Sequence, residues 1–156
     1  MQMPDDLALW LQDQLLGLDH EDYGLIYILS GNLASIPQDS AGRWQLGVDV
    51  IYRVLTCDLV KVNDLGATSD QASFLHSIRT LNPYGKSGEG YWHATLIWGT
   101  ERLSKLIDAY FPPRGARDDK LNRSFIEALE QLFAENGVPW SETPQLPVMP
   151  ASVAPR

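Results

Sequence analysis

A chain of 156 residues, 44% of them apolar, is long enough for one core of ordinary size, and its −8 charge sets it apart from chains built to hold phosphate. The longest apolar runs, such as Leu25 to Leu29, fall far short of the roughly 18 residues of a membrane span, and residues 1–6 carry acids where a signal peptide carries bases, so a cytoplasmic protein without a membrane partner is expected. Cys57 is the single cysteine, which excludes an intramolecular disulfide and a Cys/His zinc pattern; within the apolar segment Tyr52 to Cys57 it reads as a core thiol.

In chain order, Asp5 to Gly17 places Leu7, Trp10, Leu11, Leu15 and Leu18 at helical spacing behind Pro4. A second helix is predicted from the acidic cluster Asp19-His20-Glu21-Asp22 through Tyr23, Ile26 and Tyr27 to Ser30, because carboxylates favour a helix N-terminus. Residues 36–42 read as a loop. A third helix over about Arg43 to Val62 lines up Trp44, Val48, Ile51, Tyr52, Leu55, Leu59 and Val62, with a strand in its β-branched middle as the alternative. Thr68-Ser69-Asp70 is an N-cap cluster for a fourth helix through Phe74, Leu75, Ile78 and Leu81.

Residues 82–90 form the longest glycine-rich break. Tyr91 to Trp98 starts a helix or makes a short strand, and Thr100 to Phe111 is helical until Pro112-Pro113 stops it. The last helix runs over about Asp118 to Asn136, ended by Asn136-Gly137, and five prolines from Pro139 onward argue for an extended tail. The prediction is a mainly α, single-domain bundle of about five or six helices over residues 1–138. A short β pair near Val60 and Tyr91 is left open, and residues 139–156 form an extended, loose proline-rich tail.

Motifs for chemistry are sparse. Gly85-Lys86-Ser87 has the end of a phosphate-binding loop, but position 80 is Thr80 where the first glycine is needed, and no compact strand precedes it. Neighbouring positions in Asp19-His20-Glu21-Asp22 point in different directions, which opposes a shared metal ion. Glu89 and His93 are four apart, with Gly90 weakening the helix between them. No serine stands in a nucleophile elbow, and Cys57 has no base at a telling position. No catalytic residue, cofactor, metal or small-molecule substrate is assigned. Among the aromatics, Trp10, Trp44 and Tyr52 fall on apolar stripes, whereas Tyr84, Tyr91, Trp92 and Trp140 lie in or beside loops, where interface and core are nearly equal readings.

The charge distribution is the most informative feature. Residues 1–78 hold eleven acids and three bases, residues 79–156 nine of each, and residues 1–42 have seven acids with no lysine or arginine. Such a surface repels phosphate backbones and steers basic partners. A helix-turn-helix drawn from Tyr23 to Val62 would have only Arg43, Arg53 and Lys61 as anchors, too few for DNA, and Asp118 and Asp119 dilute the later cluster Arg114, Arg117, Lys120 and Arg123.

The base-free acidic stretch 5–42, the block Asp19 to Tyr27 and the segment Val48 to Leu55 together resemble a bacterial immunity protein, the antidote to a polymorphic toxin of contact-dependent growth inhibition. The resemblance implies stoichiometric binding of a cognate toxin, a nuclease with a basic groove. Asp19, Glu21, Asp22 and Asp39 would then pair with its bases, while Tyr23, Trp44 or another aromatic fills a central pocket. A protein-binding adaptor or a helical transcription regulator is the alternative, with an enzyme ranked behind both.

Overall fold

The computed structural model describes residues 3–31, 39–63 and 70–150. Within them the chain is mainly helical, with six α-helices and one small sheet. Helix α1 (Asp5–Leu18) buries the stripe its spacing predicts, Leu7, Trp10, Leu11, Leu15 and Leu18. Each such side chain contributes roughly 1.5–3 kcal/mol by leaving water.

The expected second helix is different. Tyr23–Gly24 form a short strand β1, and Leu25–Leu29 a single 3-10 turn. The acids at 19–22 start no helix, because the backbone at Gly24 and Leu25 turns to partners outside its own segment: β1 pairs with residues 96 and 97, and the Leu25 N–H donates to Thr95 O at 2.9 Å.

Helix α2 (Ser40–Thr56) carries the main core stripe through Trp44, Val48, Ile51 and Val54, and ends six residues before the predicted limit at Val62. Asp58 stops it at φ +58°, the one non-glycine in the left-handed region among the described residues. Around Asp58 the Leu59 N–H reaches Val54 O and the Asp58 N–H reaches Leu55 O, the paired bonds of a Schellman end. The chain then leaves as strand β2 (Val60–Asn63). Helix α3 (Gln71–Thr80) is capped by Asp70, whose carboxylate accepts from Ser73 N at 2.8 Å. The segment after the glycine-rich break is both helix and strand: α4 (Glu89–Ala94), then β3 (Leu96–Gly99).

Thr100 caps α5 (Glu101–Tyr110). Helix α6 (Arg123–Glu135) begins later than Asp118 because Asn122 is its cap, accepting from Phe125 N at 3.0 Å. Gly137, at φ +76°, closes it as its sequence predicts.

The sheet is antiparallel with order β1-β3-β2. Val60 pairs with Gly99, Lys61 with Trp98, Val62 with Ile97 and Asn63 with Leu96. Ile97 is fully buried against the helices. Cys57 is a core thiol, 1% exposed, and burial raises its pKa.

Among the described residues Gln12, Arg53 and Thr95 are the wholly buried polar ones, and the first two act as clamps. Gln12 donates to Lys120 O and accepts from Asn122 N, each at 2.9 Å, which fixes the approach to α6. Arg53 donates from Nε to Val138 O at 3.1 Å and from Nη2 to Pro139 O at 2.8 Å, with its guanidinium 4.9 Å from the Trp140 ring centroid. Residues 139–150 contain neither helix nor strand, yet they are laid along α2 and α3 rather than loose. The Gln45 amide donates to Leu146 O and accepts from Val148 N, and the Arg79 Nε donates to Pro147 O. Residues 151–156 of the predicted tail lie outside the described residues.

Candidate partner-binding surface

The acidic cluster is built at the point where α1 meets β3. Gly99 lies so close to the end of α1 that a Cβ there would sit 2.7 Å from Leu18 O, and this contact brings the turn Asp19–Asp22 over the strand. The turn itself is closed by Asp19 N to Leu15 O and Glu21 N to Gly17 O. The Asp19 carboxylate accepts the Ser104 hydroxyl of α5, which pins the first acid in place.

Directly paired residues of antiparallel strands project to the same face. Trp98 and Leu96 on β3 therefore share a face with Lys61 and Asn63 on β2, opposite to Ile97. A shallow cleft of about 550 Å³ opens there, floored by Leu96 and Trp98 and walled by Asp19, His20, Glu21 and Asp22.

Glu21 and Asp22 are exposed and make no side-chain hydrogen bond or ion pair with the described residues. Trp98 is half-exposed, and its indole N–H has no partner among them. The contrast with the other tryptophans is sharp: Trp10, Trp44 and Trp92 donate to Ser30 O, Ile78 O and Leu81 O, and Trp140 lies beneath Arg53 at 9% exposure.

The structure thus brings Asp19, Glu21 and Asp22 together and separates the other predicted contacts. Asp39 does not line the cleft; it caps α2 by accepting from Gly42 N at 3.2 Å. Tyr23 is half-buried against α1 with its hydroxyl 2.8 Å from Gln14 Oε1, and burial, followed by the Glu21 charge, holds its phenol protonated far above the ordinary range.

Trp44 is a correction. It is 2% exposed and its N–H is spent on Ile78 O, so the pocket it fills is in its own core. Of the loop aromatics, Trp92 and Trp140 are likewise core and Tyr84 is 48% exposed. Trp98 and Leu96 escaped the sequence reading because their outward direction is set by pairing with a strand more than thirty residues away.

The weak motifs gain nothing in three dimensions. Lys86 and Ser87 are exposed in a turn, and no bond joins Glu89 to His93 on α4. Among the described residues no three His, Cys, Asp or Glu side chains are arranged to hold a metal ion, and no helix is long and apolar enough to cross a membrane. No family model matches the chain, and no curated protein or solved structure is significantly similar to it.

Proposed function

We propose that this protein is a stoichiometric inhibitor of the immunity kind, which binds a basic toxin domain, in the first instance a nuclease, through the acidic wall of the cleft. The observation that carries the reading is the pair Glu21 and Asp22, exposed and without a side-chain partner among the described residues, beside the half-exposed Trp98 and within a stretch of 42 residues that has no lysine or arginine. Exposed ion pairs contribute only about 0–1 kcal/mol each at equilibrium, so the wall acts mainly by steering the encounter. A DNA-binding role is disfavoured by α2, the helix that would enter a groove: its arginines, Arg43 and Arg53, are 8% and 0% exposed.

The test starts with a tagged pull-down from the cells that make the chain. The reading expects near one-to-one recovery of a basic domain whose toxicity the chain suppresses. With that domain in hand, Glu21→Lys with Asp22→Lys should slow association about tenfold or more at low salt, lose much of that effect at high salt, and leave the circular dichroism unchanged. Association unaltered by the double reversal would count against the acidic wall.

A further inference from the structure

We propose that the floor of this cleft is a seat for one arginine side chain of the basic partner, its guanidinium stacked on the Trp98 indole and turned toward Glu21 and Asp22. The inference rests on the reading above and names what fills the cleft.

Several features select arginine. The cleft is lined by a half-exposed indole and bordered by two carboxylates with no partner among the described residues, and a guanidinium is flat, weakly hydrated and able to stack while its N–H fork serves carboxylates at its edge. A lysine ammonium is compact and strongly hydrated, so it gives up more to lie on a ring. Leu96 borders the same cleft, is half-buried, and can cover the methylene stem.

No cation of the chain itself takes the seat among the described residues. Lys61 is paired with Trp98 on the same face, but it lines a separate cleft with Asp58 and Glu101 and makes no cation–ring contact with Trp98. Asp19 is already engaged by Ser104, which leaves Glu21 and Asp22 as the free acceptors. The same chemistry operates inside the molecule, where Arg53 stacks on Trp140 with Asp49 beside it.

The experiment uses the full chain with two probes, an N-acetylated tetra-arginine amide and its tetra-lysine counterpart, each carrying a fluorophore for anisotropy at low salt. Tetra-arginine should bind at least about fivefold more tightly than tetra-lysine. Trp98→Leu, which keeps an apolar side chain on the strand but removes the ring, should erase that preference while retaining weak, salt-sensitive binding of both peptides. Trp98→Phe should keep part of it. Glu21→Lys with Asp22→Lys should abolish both. Equal affinity of the two peptides for the wild type, a preference undiminished in a folded Trp98→Leu chain, or no binding of either peptide would overturn the arginine seat. Binding of both peptides that ignores the charge reversal would overturn the acidic-wall reading with it.

Discussion

Asp49 and Arg53 stand one turn apart on α2, a spacing that usually marks a solvated ion pair, yet Asp49 is 7% and Arg53 0% exposed. Burial outweighs the attraction of Arg53 and the Gln45 hydrogen bond, and pushes the Asp49 carboxyl up to about 6. The sign of the consequence follows. An unfolded aspartate releases its proton near pH 4, while the folded one holds it to about pH 6, so Asp49 favours the fold at low pH and that contribution is lost as pH rises through this window. The loss amounts to roughly 3 kcal/mol at most. Denaturant titrations at pH 4 and pH 6.5 should show Asp49→Asn lacking this decline relative to the wild type, and a parallel decline in the variant would place the titration elsewhere. The pair was visible in the sequence, but its burial was not, since the groups that cover it, Val138 to Trp140, come some ninety residues later.

At the scale of elements, legibility divided according to whether the deciding contact is local. Asp70 and Gly137 act on their own helices, and there the reading from residues agrees with the structure. Where a distant contact decides, it does not. Residues 118–122 have acids fit for a helix start, but the Gln12 amide draws Lys120 O and Asn122 N to α1 and leaves Asn122 as the cap. The run Val60 to Val62 continues an apolar stripe, but the left-handed Asp58 and the pairing with β3 turn it into a strand. The candidate site divides in the same way, its acids local and legible, its tryptophan floor not. Asn122→Ala removes the cap and should cost about 1 kcal/mol, lowering Tm by a few degrees in thermal melts. An unchanged Tm would mean that the Gln12 clamp alone sets the start of α6.

For the molecule as a whole, the segment 138–140 that follows α6 is a structural part of the core. Val138 and Trp140 are buried and supply or flank the acceptors of Arg53. A chain terminated after Gly137 loses that apolar cover and leaves a buried cation without those carbonyls, a loss on the order of 4 kcal/mol or more against the 5–15 kcal/mol that holds a typical domain together. It should melt without a cooperative transition, whereas a chain terminated after Ser141 should retain one. Calorimetry of the two chains distinguishes these outcomes, and a cooperative melt of the shorter chain at the full-length temperature would show the Arg53 clamp to be dispensable.

The Arg53 clamp also sets an order of events during synthesis. The guanidinium precedes two of its acceptors, Val138 O and Pro139 O, by 85 and 86 residues. While the later helices are still being made, α2 carries a cation with one carbonyl of its own helix, Asp49 O, to receive it and without the two that come from beyond α6. The interior around α2 therefore cannot close completely until the segment that follows α6 has been made and has folded back onto it.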